Sequence, residues 1–89
     1  MPDRLSEFFV VDILVAIDKI LRGTAGLTFE QFVSSEKEVD AVLRNLEIIG
    51  EATGQLLKVD DFLDKDNEDW RKIVNLRNVI IHFKMLLPL

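Results

Sequence analysis

SEKEVDAVLRNLEIIGEATGQLL, residues 35–57, decides the fold. Ser35-Glu36-Lys37-Glu38 reads as a capping box, in which the serine oxygen accepts a backbone N–H three residues on and the glutamate reaches back. Behind it Val39, Val42, Leu43, Leu46, Ile49, Thr53, Leu56 and Leu57 recur with the helical period and mark one inward face of a long helix. Gly50 and Gly54 lie four apart inside it. Each costs about 1 kcal/mol relative to alanine in a helix interior, so the pair predicts a close helix crossing as compensation.

Upstream, Thr28-Phe29-Glu30-Gln31 is another capping box and opens a short helix holding Phe29, Phe32 and Val33. Before it, Leu5, Phe8, Phe9, Leu14, Ile17, Ile20 and Leu21 recur at helical spacing until Gly23 and Gly26 stop the helix. Val10, Val11, Ile13 and Val15 widen that apolar arc beyond what one partner helix hides, so this helix is central to a bundle or part of a subunit contact. Downstream, Val59 to Asn67 holds Asp60, Asp61, Asp64 and Asp66 and reads as a solvated connection. It lacks the central glycine and terminal glutamate of a calcium-binding loop. A last helix begins near Asp69 and runs through Trp70, Ile73, Val74, Leu76, Val79, Ile80 and Phe83 until Pro88. The expected fold is all-α: an antiparallel bundle of about four helices, one domain over residues 1–89.

Composition narrows the chemistry. Eighty-nine residues bury only about 60% of their unfolded surface, so a lone core is thin. The absence of cysteine excludes disulfides, thiolate zinc sites and a cysteine nucleophile. His82 is the only histidine, so one chain cannot supply a two-histidine metal site, and no metal or cofactor is expected. The amino terminus, Met-Pro-Asp-Arg, is not an export signal, and no apolar run approaches the roughly 20 residues of a membrane span. The expectation is a soluble, cytoplasmic protein without a membrane partner. A net charge of −5 argues against general nucleic-acid affinity. Yet Arg71, Lys72, Arg77 and Lys84 are the only charged side chains from Trp70 to Leu89. Such asymmetry either steers an anionic ligand to the last helix or reflects a basic helix packed against acidic neighbours.

The chemistry-bearing stretch is Arg77-Asn78-Val79-Ile80-Ile81-His82. Taken singly, each polar member has an ordinary structural role: an ion pair with Glu47 or Glu51 for Arg77, an i,i+4 hydrogen bond for Asn78, a satisfied core position for His82. Together they sit among Leu76, Val79, Ile80, Ile81 and Phe83, where burial of unpaired polar groups is costly and a site or a specific contact is the usual reason for keeping them. Five residues at about 100° each set Arg77 and His82 roughly 140° apart, so one helix does not aim both at one point. Two copies of the helix across a dimer axis would place two arginines and two histidines around one cleft.

Arg77 to His82 fits the Arg-x4-His signature of the HEPN superfamily, and the Arg-Asn at its head resembles the HepT-like branch. Leu27-Thr28-Phe29-Glu30-Gln31-Phe32, Arg44-Asn45-Leu46-Glu47-Ile48-Ile49-Gly50-Glu51-Ala52 and Trp70-Arg71-Lys72-Ile73-Val74 agree with that branch in the same order, so the resemblance spans nearly the whole chain. It implies a homodimeric helical bundle joined through its last helix. It also implies the toxin half of a toxin–antitoxin pair, whose partner is a small nucleotidyltransferase of the MntA type. The implied activity is metal-independent RNA cleavage at the dimer cleft, with His82 handling the proton of the attacking 2′-hydroxyl or the leaving 5′-oxygen and Arg77 stabilising the phosphate. Asn78 would orient the phosphate or His82. The alternative is a catalytically inert module that binds its nucleotidyltransferase, or a nucleotide, without cutting.

The resemblance breaks after His82. The family continues His-x-Tyr, and that tyrosine is where the antitoxin attaches AMP, whereas here Lys84 holds the position and the chain ends in Met85-Leu86-Leu87-Pro88-Leu89. A truncation or frame change would produce such an ending. Control through the tyrosine therefore does not carry over.

Overall fold

Two hydroxyl side chains set the starts of the two middle helices. Thr28 accepts the backbone N–H of Gln31 at 3.1 Å while the Gln31 side chain accepts that of Thr28 at 2.9 Å, closing the box expected there. Ser35 then serves two helices at once. Its backbone N–H donates to the Phe32 carbonyl at 3.0 Å to end one, and its hydroxyl accepts from the Glu38 N–H at 3.3 Å to start the next. These caps define α2 (Phe29–Ser34) and α3 (Glu36–Val59), preceded by α1 (Arg4–Thr24) and followed by α4 (Glu68–Leu86). The computed structural model describes residues 4–60 and 63–86, and for residues 76, 77, 79–81 and 83–86 the backbone alone. No strand occurs among the described residues, so the all-helical, four-helix expectation holds.

α1 ends later than its first glycine suggests. Gly23 remains helical, and it is Gly26 that takes the left-handed conformation, φ 76°, with the Leu27 N–H closing onto the Thr24 carbonyl at 3.1 Å. A Cβ at Gly23 would come within 3.3 Å of the Glu38 carboxylate of α3, the mobile end of a long side chain.

α3 is the hub on which α1, α2 and α4 pack. Its buried positions are Gly50, Ala52, Thr53 and Leu56, and α1 contributes Ser6 and Ala16. The periodic pattern correctly marks Thr53 and Leu56 as core. Val39, Val42, Leu43, Leu46, Ile49 and Leu57 are half-buried instead, because the helix is fully sealed only in its C-terminal half, between Gly50 and Leu56. On α1 the inward face is Ser6, Phe9, Ile13, Ala16 and Ile20, whereas Leu5, Phe8, Leu14, Ile17 and Leu21 are exposed. α1 meets α3 along one face only, so the remainder of its wide apolar arc lies open. Leu14 is 59% and Leu21 63% exposed. No described helix is long and apolar enough to cross a membrane.

The close crossing inferred from the glycines is looser than expected. Gly54 faces Val74 of α4, but an added Cβ would lie 3.7 Å from the nearest Val74 methyl, an ordinary contact. Gly54→Ala should therefore keep the fold and raise unfolding stability by up to about 1 kcal/mol through helix propensity. Urea denaturation checks this, and a loss of stability would show that the helices need the gap.

Candidate functional site

α4 is positioned from both ends of its first half. Asn67 precedes it and accepts the Asp69 N–H on its side-chain oxygen at 2.8 Å, and its carbonyl accepts the Arg71 N–H at 3.3 Å. Glu68 and Asp69 in the first turn suit the positive end of the helix dipole. One turn on, Trp70, Ile73 and Val74 are half-buried, with Val74 against Gly54 of α3. That anchor sets the rotation of the remaining helix.

The rotation brings Asn78 and His82 to one exposed side. They stand four residues apart, about 40° around the helix and one turn along it. For Asn78 and His82 this corrects the expectation of polar groups lodged in an apolar setting. Neighbours in sequence are about 100° apart on a helix, so the apolar residues between them occupy other faces. Both side chains are in solvent in the single protomer. Arg77 falls at the register of Trp70 and Ile73, away from that of His82; its side chain, like that of Lys84, lies outside the described residues. The angular separation read from the sequence thus stands in the helix, and one protomer does not bring Arg77 and His82 together by backbone register.

Two further residues share the exposed side. Arg71 and Asn75 continue the register of Asn78 and His82, and all four are exposed. Their 4-3-4 spacing is present in the sequence but carries no signal until the exposed side of α4 is known. Arg71 stands 3.7 Å from Asp66 and Lys72 3.7 Å from Glu68, all four side chains well exposed, so these pairs hold their cations weakly.

Beside the stripe a cleft of about 430 Å³ opens between α3 and α4. Gly50 and Gly54 form part of its wall, with Gln55 and Lys58 from α3 and Val74 and Asn78 from α4. A smaller hollow of about 190 Å³ between α1 and α3 is lined by Phe9, Asp12 and Ile48, and Glu51 and Gln55 border both. Among the described residues no three histidine, aspartate or glutamate side chains converge as metal ligands.

An all-helical chain that carries its histidine in an exposed polar stripe on the last helix has a matching family. Residues 13–83 match the family described as Ribonuclease HepT-like, and the chain belongs to it. "Putative RNase MJ0127" of Methanocaldococcus jannaschii is 36% identical over 83 residues, which cover 92% of this chain and 67% of that protein. "Putative RNase MJ1380" of the same organism is 35% identical over 92% of this chain and 74% of its own length. "Probable ribonuclease HepT" of Thermococcus cleftensis is 37% identical over 89% of this chain and 71% of its own length. No solved structure matches the chain.

Because Asn78 and His82 are exposed, Asn78→Ala and His82→Ala should each change unfolding stability by no more than about 0.5 kcal/mol. Thermal denaturation checks this. A large destabilisation by either would assign it a structural role.

Proposed function

We propose that the protein is a metal-independent endoribonuclease whose site is completed in a homodimer, with Arg77 of one protomer and His82 of the other acting on one phosphodiester. The observation that carries this reading is an exposed His82 in a chain of the Ribonuclease HepT-like family, held one helical turn from the amide of Asn78. A neutral imidazole accepts the 2′-hydroxyl proton as that oxygen bonds to phosphorus. The P–O5′ bond breaks, and an imidazolium returns a proton to the leaving 5′-oxygen. The products are a 2′,3′-cyclic phosphate and a free 5′-hydroxyl. Histidine suits both halves because its charge changes near neutral pH, and a permanently charged, planar guanidinium suits the phosphate oxygens.

The open apolar arc of α1 supports association, since Leu14 and Leu21 are largely exposed and a partner would cover them. Pairing through α4 would also resolve the separation of Arg77 and His82. The biological role we infer is that of a cytoplasmic toxin restrained by a nucleotidyltransferase antitoxin of the MntA type. That restraint would not use a tyrosyl-AMP, since the chain contains no tyrosine and Lys84 stands at the family's acceptor position.

Incubating the purified protein with labelled RNA, with and without a chelator, tests the activity. Cleavage should persist in chelator and leave cyclic-phosphate ends, and His82→Ala or Arg77→Ala should lower the rate by about 10²–10⁴. Cleavage that is lost in chelator, or unchanged by either substitution, contradicts the reading. Sedimentation should show a dimer at micromolar concentration, and a monomer alone would remove the composite site. Incubation with an MntA-type enzyme and ATP should add no AMP, as read by intact mass; a modified Lys84, serine or threonine would overturn that part.

A further inference from the structure

The stripe and the cleft meet at Asn78. We propose that they form one binding track for single-stranded RNA, with the phosphodiester backbone running along Arg71, Asn75 and Asn78 toward His82 and one base seated between α3 and α4. The inference rests on the ribonuclease reading and extends it to residues that reading does not use.

Geometry comes first. Arg71, Asn75, Asn78 and His82 lie within about 60° of arc and span about 16 Å of helix, enough for a few nucleotides of an extended strand. All four are exposed, and no carboxylate lies between them on that arc, although Glu68 flanks its Arg71 end about 20° beyond the edge. A guanidinium and primary amides are donors suited to phosphate and ribose oxygens. The same register reaches back to Asn67, whose side chain is committed to the Asp69 N–H. Around it stand the exposed carboxylates of Asp64, Asp66, Glu68 and Asp69. A polyanion therefore has a track with a defined end at Arg71 and an acidic boundary beyond it.

The cleft supplies the second half. Its volume of about 430 Å³ lies within the range of small-ligand sites, about 300–1,000 Å³. Gln55 and Asn78 offer amides that both donate and accept, the pattern that pairs with a base edge, while Lys58 and Glu51 add one cation and one carboxylate to the wall, the latter able to accept from a base amine but not to meet a phosphate. Gly54 keeps the wall open although helix packing leaves room for a methyl group there. Packing alone thus does not account for a glycine in the middle of α3. A base can enter only if it is unstacked and unpaired, which selects single strands over duplex.

The test is fluorescence anisotropy of a short, labelled, mixed-sequence 2′-O-methyl RNA, which lacks the attacking hydroxyl and stays intact. Wild-type protein should bind it. Arg71→Gln, Asn75→Ala and Gly54→Ala should each weaken binding about fivefold, the loss of one net polar contact or of the seat for one base. Lys19→Gln makes the same charge change as Arg71→Gln on the exposed surface of α1 and should leave binding unchanged. Gly54→Ala guards against misfolding, since a more stable variant that binds less well has lost the seat and not the fold. Failure of the wild type to bind, or equal binding by the track variants and the wild type, overturns the track. Equal weakening by Lys19→Gln and Arg71→Gln would reduce it to net charge and also overturn it. Cleavage of unmodified RNA is measured separately. Binding with the expected variant pattern but without cleavage keeps the track and refutes the ribonuclease; cleavage without that pattern does the reverse.

Discussion

Everything described in this protein hangs on one helix with a small-residue face. α1, α2 and α4 all pack on α3, and the residues sealed at that junction are Ala16, Gly50, Ala52, Thr53 and Leu56. Small side chains allow helices to approach, but each removes little apolar area from water. At about 25 cal/mol per Å² such a junction yields far less than a core of leucines and phenylalanines. The larger apolar side chains of α1 were spent elsewhere, on surfaces that a single protomer leaves in solvent. An 89-residue chain that exposes these groups is short of burial. The second copy proposed above would supply more, since symmetric pairing doubles every contact one chain can make.

The same junction controls the chemistry. Val74 against Gly54 sets the rotation of α4, and that rotation carries Asn78 and His82 to the open side. A shift of one residue in the crossing would turn the stripe by about 100° and bury its donors. Helix packing and the site are therefore one constraint. On the proposed track the carboxylates of Asp64, Asp66, Glu68 and Asp69 gather at the Arg71 end and Glu51 borders the cleft, so a polyanion would meet least repulsion along Asn75, Asn78 and His82.

Much of the fold was legible because local rules and packing agree. The box at Thr28, the serine cap at Ser35 and the acidic first turn of α4 each follow from side chains satisfying the free N–H groups of a helix end. Periodicity found α3 and its inward Thr53 and Leu56. It failed on α1, where apolar residues surround the helix and only contact with α3 decides which are covered. Ser6 and Ala16 proved to be the buried ones, a choice that no hydrophobicity pattern contains. At the site, the Arg-x4-His spacing pointed to His82, but the apolar neighbours suggested a buried group. The helix disperses those neighbours around its circumference and leaves the histidine outside. Arg71 and Asn75, which the proposed track adds, belong to a polar 4-3-4 repeat that becomes meaningful only once the exposed side of α4 is known.

The central claim is that Arg77 and His82 act together across two protomers, and mixing inactive variants tests it most directly. Arg77→Ala and His82→Ala proteins are unfolded together, refolded together and assayed on labelled RNA beside each variant alone and the wild type. A shared site predicts that the mixture regains cleavage, because one face of each mixed dimer pairs the intact Arg77 of one protomer with the intact His82 of the other. A mixture as inactive as its components, beside a wild type that cleaves, would place both residues in one protomer or outside the chemistry and contradict the account.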